Sequence, residues 1–418
     1  MTRRLPLALA AGLVLADSSI VTLALPEILR ELDLTVAEVA WVLVSFNVAL
    51  AAAAVPGAML ARREPRVALG AGLVAFAAAC LVCAVADGLG LLVAGRVAQG
   101  LAGAVVVAAS LELLLRIDAP RAVGTWATAG VLGAAIGPAA GGVLTDVLSW
   151  EAMFALQAPV ALAALAGLVG VPAAAPVTRG ADRWRPQVAA LAALALASAA
   201  LAAALFLLVT MMIEGWRHGP AAAAGIVTVL PVSALLAPSV ARLLGAGLVA
   251  RAAAGAVLLA GGLAALGLLP DAKPTWTIAP QVLIGLGLGL LVTGLTRIAV
   301  PEGGAAAARD ASLTIFARHA GVVVGLLLLT PVFSADLDAQ EKPTEMAVLS
   351  QLLDAPLPLT VKVRLATALG DTVESADGRL PDLTPAFAKA KAGPERAAAI
   401  RELRVEMDGQ LDRAGTEA

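Results

Sequence analysis

The chain has 418 residues, of which 60% are hydrophobic and 14% are charged. Soluble domains carry about a quarter charged residues, so a chain this apolar has too little polar surface to fold in water. The net charge of −2 and the scarcity of aromatic residues, with no tyrosine, argue against a nucleic-acid partner.

Apolar runs long enough to cross a bilayer recur from the N-terminus to about residue 333. The first run continues past Asp17, so we interpret it as an uncleaved spanning helix and not as a signal peptide. The sequence therefore predicts an all-α integral membrane protein. Its eleven spans are expected near residues 5–29, 38–61, 67–86, 89–114, 122–146, 152–171, 188–213, 222–244, 250–269, 276–298 and 312–333.

Arginine is concentrated in every second gap between these spans, starting with Arg3 and Arg4 before the first. The alternate gaps hold only Arg30, Arg217 and Lys273 beside several acidic residues. Cytoplasmic loops carry the excess of Lys and Arg in membrane proteins. The alternation predicts a cytoplasmic N-terminus and a multi-pass protein of the cell membrane, inner or plasma.

The longest polar break among the spans is the proline- and arginine-containing stretch 172–187. Two helical bundles joined by a cytoplasmic linker are the plan of transporters built from repeated halves. We therefore predict an N-terminal six-helix bundle over 1–171, this linker, and a C-terminal bundle of five helices over 188–334.

The remaining residues, 335–418, differ in carrying most of the lysines and a net acidic balance. Four apolar residues near the end recur at helical spacing, which predicts a soluble amphipathic helix. With eleven spans before it, this helical tail is expected outside the cell. The four residues are Ile400, Leu403, Met407 and Leu411.

Asp17 lies within the first span, where a carboxylate costs ~2.5–3.5 kcal/mol on insertion scales and usually marks an ion pathway or proton relay. Arg96 in the fourth span lies at a similar depth, roughly 10–14 Å below the outer surface. We expect the two to pair if these spans are neighbours. The alternative is a structural ion pair that only holds helices together.

Residues around Arg96 extend this candidate site. Arg96, Gln99, Gly100 and Gly103 share one helical face, and the Gln99 amide offers a donor and an acceptor toward the same cavity.

Further polar residues within the spans are weaker candidates for lining the cavity. They are Asn47 in the second span and Thr22 in the first, and interhelical hydrogen bonding is the other interpretation of such residues.

A glycine stripe marks the fifth span. Gly133, Gly137 and Gly141 recur every four residues, with Pro138 and Gly142 beside them. Such a stripe allows close packing, and proline removes a helix hydrogen bond. A phosphate-binding loop is excluded because no strand precedes the stripe and no Gly-Lys-Ser/Thr follows it. Packing and a hinge are the predicted roles.

Other residues give no sign of catalysis or of a cofactor. Cys80 and Cys83 lie in one apolar run, so we interpret them as packing residues and not as a redox motif. His218 is expected in an outer loop and His319 near the inner start of span 11, and two separated histidines do not make a metal site. No Ser/His/Asp set lies at one membrane level, so neither an enzyme nor a metal is predicted.

Several strings together resemble the multidrug drug:proton antiporter branch of the major facilitator superfamily. The resemblance covers about residues 5–333. The strings are Asp17-Ser-Ser-Ile-Val-Thr22-Leu-Ala-Leu25-Pro26, Trp41 at the start of span 2, Arg96…Gln99-Gly100, Gly133…Gly137-Pro138…Gly141-Gly142, Ser149-Trp150…Phe154…Pro159 and Arg318…Gly321…Gly325.

The resemblance implies a two-bundle exporter that rocks between inward- and outward-facing states. Asp17 would carry the proton, Arg96 would modulate it, and the Gly/Pro stripe would form a close-packed hinge between the halves. The implied partners are protons, a small hydrophobic or cationic substrate and the lipid bilayer, with the protein as a monomer.

The sequence departs from the family pattern in two places. After span 2, where the family reads Gly-x-Leu-x-Asp-Arg-x-Gly-Arg, Ala61 replaces the Asp and Glu64 the second Gly. The family also has an even number of helices, so the eleven spans expected here would lack the last one. These departures favour an alternative: a truncated or repurposed, non-transporting membrane protein whose outer tail binds a partner.

Overall fold

The structure, a computed structural model, describes residues 4–169, 187–216, 218–270, 273–300, 307–374, 383–389 and 400–407. Every regular element in these ranges is helical. The helices are Arg4–Thr22, Leu25–Glu31, Val36–Arg63, Pro65–Ala84, Leu89–Val147, Trp150–Ala163 with a 3-10 turn Ala164–Leu168, Val188–Thr210 with a π-turn Met211–Gly215, Pro220–Val227, Val229–Leu244, Leu248–Leu266, Pro274–Ala299, Ala307–Asp354, Leu359–Glu374 and Thr384–Lys389. Residues 400–407 are also helical.

Within the described ranges, eleven segments are long and apolar enough to cross a membrane, which confirms the predicted number of spans. We number them span 1 to span 11, and call spans 1–6 the first half and spans 7–11 the second half. Their bounds are Arg4–Thr22, Val36–Arg63, Pro65–Ala84, Leu89–Asp118, Arg121–Val147, Trp150–Leu168, Val188–Ile213, Pro220–Leu243, Leu248–Leu266, Pro274–Ala299 and Ala308–Val332.

Span 1 is shorter than the predicted 5–29, because its helix ends at Thr22 and a second helix begins at Leu25. Pro26 occupies the first turn of that second helix, where its missing N–H is not needed. Spans 4 and 5, in contrast, are two helices that follow each other directly at Asp118, whose φ of −158° and ψ of 79° are not helical.

The break at Asp118 is held by charge. Its carboxylate pairs with Arg4 at the start of span 1 and with Arg121 at 3.3 Å. The starts of spans 1 and 5 therefore lie on one side of the bundle, which we call the Arg4 face; span 1 ends on the opposite side, the Thr22 face. That the Arg4 face is cytoplasmic stays a prediction.

The two halves meet along two pairs of helices. Span 11 packs against span 2, and span 5 packs against span 8. At the Thr22 face, Leu23 shares one apolar cluster with Met212, Trp216 and Ala224 of the second half. The halves are thus packed together at that face. The predicted linker lies outside the described residues except for Gln187.

The C-terminal part continues from span 11 without a break. The helix of span 11 runs on to Asp354, past the predicted boundary at residue 335. A small apolar core forms around the end of this helix and the residues after it. The core includes Leu403 and Met407 of the predicted amphipathic helix, whereas Leu411 lies outside the described residues. The buried core residues are Leu352, Ala355, Leu357, Val361, Leu365, Ala368, Leu369, Leu383, Ala386, Phe387, Leu403 and Met407.

Candidate functional site

Asp17 and Arg96 lie side by side in the interior of the first half. The Arg96 Nη1 atom donates to Asp17 Oδ2 at 2.5 Å, and neither side chain is exposed. Charge-assisted bonds of this kind are the strong ones, and a dry interior strengthens them further. The structure therefore places the two ionisable residues found in the sequence at one depth and in contact.

Gln99 completes the group, one helical turn after Arg96. Its Oε1 atom accepts from Arg96 Nη1 at 2.8 Å, and its Nε2 atom lies 3.4 Å from Asp17 Oδ1. The same amide nitrogen donates to Cys80 Sγ at 3.0 Å, and Cys83 Sγ lies 3.6 Å from Oε1. The two thiols, predicted only to pack, therefore orient the amide that touches both charges.

Span 2 supplies the other side of the Arg96 pocket. Arg96 Nε donates to the Val42 carbonyl at 3.0 Å, and its guanidinium carbon lies 4.3 Å from the centre of the Phe46 ring. This close approach depends on Gly100, where a Cβ atom would collide with the Phe46 carbonyl oxygen. The sequence indicated Gly100 but gave no reason to select Val42 or Phe46.

Span 6 brings two residues to the same site. The guanidinium carbon of Arg96 lies 5.7 Å from the centre of the Phe154 ring. Gln157, one turn later and 5% exposed, lies close to Asp17 without the geometry of a hydrogen bond, and neither of its amide atoms has a partner within the described residues. Sequence analysis missed Gln157, although a glutamine inside an apolar span was a usable signal.

Two other predicted cavity residues lie beside this group and not in it. Asn47 donates to the Leu43 carbonyl at 2.8 Å and lies 3.3 Å from Ser18 Oγ. Thr22 donates to the Ser18 carbonyl of its own helix at 2.6 Å. Asn47 therefore links two spans, whereas Thr22 satisfies its hydroxyl locally.

The glycine stripe of span 5 packs against span 1 on both sides of Asp17. A Cβ atom at Gly133, Gly137 or Gly141 would collide with span 1. Gly142 instead faces Pro220 and Ala224 of span 8, in the second half. The close packing of the stripe thus lies mainly within the first half, and only Gly142 lies at the contact between halves.

The proline of the stripe does not interrupt its helix. Pro138 is buried, and span 5 has helical backbone angles from Arg121 to Val147, on both sides of this proline. No group of three His, Cys, Asp or Glu side chains in the described ranges is placed to hold a metal. What the site offers chemically is a carboxylate that can hold or release a proton next to a permanent cation.

A bundle of eleven spans around a buried ion pair defines a polytopic membrane protein. Residues 7–326 match the family described as Major Facilitator Superfamily, and the chain belongs to it. It is a multi-pass membrane protein, and its relatives include drug-efflux and resistance transporters.

Two relatives show the range of similarity. The chain is 37% identical over 174 residues to the tetracenomycin C resistance and export protein of Streptomyces glaucescens, which covers 39% of this chain and 32% of the relative. It is 31% identical over 162 residues to the multidrug export protein EmrB of Escherichia coli, covering 38% and 32%. The chain thus aligns with about a third of the length of these relatives.

Solved structures show the same fold over nearly the whole chain. The bacterial homologue of the human lysosomal transporter Spinster, in an inward-facing and occupied conformation, superposes with a TM-score of 0.66 at 16% identity, covering 99% of this chain and 94% of that one. At this identity, the likeness concerns the fold alone.

Proposed function

We propose that this transporter exports a small hydrophobic or cationic compound in exchange for protons, with Asp17 as the proton carrier and Arg96 as its modulator. The observation that carries the proposal is the fully buried Asp17 carboxylate in contact with Arg96 and Gln99. The relatives named for resistance and export support the direction and the class of substrate.

The surroundings of Arg96 support reversible protonation of Asp17. When Asp17 takes up a proton, the guanidinium loses its counter-charge, and an uncompensated buried charge is costly. Arg96 keeps its bonds to the Val42 carbonyl and to Gln99, together with the rings of Phe46 and Phe154. A cation over aromatic rings in a dry site gains roughly 2 kcal/mol or more, and these contacts continue to stabilise Arg96 when Asp17 is protonated.

Protonation also changes how span 1 is held. The Asp17–Arg96 bond ties span 1 to span 4, and its loss leaves span 1 in contact with the smooth glycine stripe of span 5. We infer that the stripe lets span 1 shift as the halves rock. A cationic substrate and a proton would then compete for one carboxylate, which couples them by linkage.

The alternative of a membrane protein that does not transport leaves this arrangement without a role. A buried ion pair is often neutral or unfavourable for stability compared with apolar residues of similar volume. A protein that kept Asp17 and Arg96 only to hold helices together would gain little from them.

The proposal is tested by Asp17→Asn in everted membrane vesicles, with ethidium as the probe cation. Proton-driven ethidium accumulation should be lost, because the variant has no carboxylate in the site to carry the proton. Asp87→Asn, at an exposed position outside the spans, is the matched control and should keep the wild-type rate. Equal accumulation by Asp17→Asn and wild type, at equal protein levels in the membrane, would show that Asp17 does not couple protons.

A further inference from the structure

A series of polar contacts runs from the Asp17 site in the first half into the second half of the molecule. His319 in span 11 has its Nδ1 atom 2.6 Å from Asn47 Oδ1 in span 2. Asn47 in turn lies within reach of the Ser18 hydroxyl, and Ser18 is the neighbour of Asp17 in span 1. Asn47 is fully buried and His319 is 8% exposed. Three spans and both halves are therefore joined through one amide.

The donors and acceptors in this series of hydrogen bonds can be assigned. The Leu43 carbonyl only accepts, so the Asn47 nitrogen must face it, and Asn47 Oδ1 must face His319. His319 Nδ1 therefore carries the hydrogen and donates it. That hydrogen is present in both the neutral Nδ1–H tautomer and the imidazolium, so the bond does not require one particular charge state.

Phe46 gives a second link between His319 and the site. The Arg96 guanidinium lies over its ring, and the His319 ring meets it edge-on at 6.5 Å between centres and an angle of 73°. Phe46 and Asn47 are adjacent residues. Span 2 thus holds Arg96 through one side chain and His319 through the next.

We propose that His319 is a positioning residue that ties the second half to the Asp17 site and favours the state in which the Thr22 face is closed. This inference rests on the proposed rocking of the halves. When span 11 leaves span 2, Asn47 Oδ1 loses its donor, and a buried unsatisfied acceptor is costly until water reaches it. Separation also frees Asn47 and Ser18 to change partners next to Asp17.

The test measures closure of the Thr22 face directly. Asp146 at the end of span 5 and Gly219 before span 8 are exposed residues of opposite halves, and a Cβ atom on Gly219 would lie 3.4 Å from Asp146 Oδ1. The pair Asp146→Cys and Gly219→Cys should form a disulfide in membranes treated with copper phenanthroline. Cys80 and Cys83 are buried, and the two single-cysteine variants serve as controls for unwanted cross-links.

In this background, His319→Leu removes the donor, whereas His319→Asn keeps an N–H donor at the corresponding atom. We expect His319→Leu to lower the ratio of closed to open protein about five- to tenfold, the change that loss of one buried hydrogen bond produces, and so to slow the initial rate of cross-linking. His319→Asn should stay within about twofold of the parent. Asn47→Leu should match His319→Leu, and the double variant should be no slower than either.

The inference is overturned if His319→Leu cross-links at the parent rate, if His319→Asn is as slow as His319→Leu, or if the effects of His319→Leu and Asn47→Leu add. Cross-linking needs neither a proton gradient nor a substrate. A failure of Asp17→Asn to change transport therefore leaves this measurement valid, and an unchanged cross-linking rate leaves the role of Asp17 untouched.

Discussion

The two halves of the molecule bury different kinds of polar group. The first half encloses Asp17 and Arg96 with the Gln99 amide against both. Among the described residues of spans 7–11, the buried polar groups are His319, Gln281 and a set of Ser and Thr hydroxyls. Hydroxyls such as those of Ser233 and Thr330 donate to carbonyls of their own helices.

Both halves nevertheless use glycine for close helix contacts. Gly321 and Gly325 of span 11 approach the backbone of span 7 as closely as the stripe of span 5 approaches span 1. Tight packing is therefore shared by the two halves, while the fully buried ion pair lies in the first. Among the described residues, the second half approaches that pair through His319, which contacts both Asn47 and Phe46 of span 2.

The largest effect expected of a single change is that of Arg96→Leu. It leaves the Asp17 carboxylate buried without its counter-charge, and breaking a buried pair in this way typically destabilises by about 3–5 kcal/mol. The midpoint of thermal unfolding in detergent should fall markedly. Arg62→Leu, at an exposed position of span 2, removes the same charge and should leave the midpoint almost unchanged.

The double variant Asp17→Leu with Arg96→Leu shows whether the loss of stability comes from an isolated buried charge or from lost packing. If the loss comes from an isolated buried charge, removing the second charge should restore much of the stability. A double variant less stable than Arg96→Leu would show instead that the side chains matter through packing.

A smaller effect is expected of Gly141→Ala in the first half and of Gly321→Ala in the second. Each new methyl group would collide with a backbone carbonyl, of Ile20 and of Ala195 respectively, which cannot move cheaply. Overpacking of this kind typically costs 1–3 kcal/mol. Gly124→Ala, in span 5 with open space around it, is the control and should not lower the unfolding midpoint.

The two halves would differ in how tightly they pack if only one of these two glycine variants lost stability. A loss of stability confined to Gly141→Ala would mean that span 7 and span 11 can move apart to accommodate a methyl group. Equal losses would support tight packing as a property of the whole bundle.

The number of spans and the Asp17–Arg96 contact could be predicted because helix geometry is regular. A fixed rise per residue converts distance from the helix end into depth, and a buried carboxylate and guanidinium at one depth attract each other. Gln99 followed because residues three apart share a helical face.

The rest depended on how the helices rotate and approach, which depth alone does not determine. Phe46 is one of many apolar residues of span 2, and only the rotation of that helix brings its ring to Arg96. The contact of His319 with Asn47 joins residues 272 apart in sequence, across the two halves. The stripe of span 5 was expected at the contact between halves, but side-chain spacing does not reveal which neighbour a small-residue face meets.

The smallest effect on stability is predicted for Gln157→Leu. This variant distinguishes Gln99, which is hydrogen-bonded to the Asp17–Arg96 pair, from Gln157, which only lies beside the pair. Gln99→Leu removes bonds to both charges and should cost about 1–3 kcal/mol, the penalty for leaving buried polar partners unsatisfied. Gln157 makes no hydrogen bond within the described residues, so Gln157→Leu loses none and buries a less polar group. Its unfolding midpoint should equal or slightly exceed that of the wild type in the same detergent. A fall as large as that of Gln99→Leu would mean that the Gln157 amide is bound to something after all, with water beside Asp17 the first candidate.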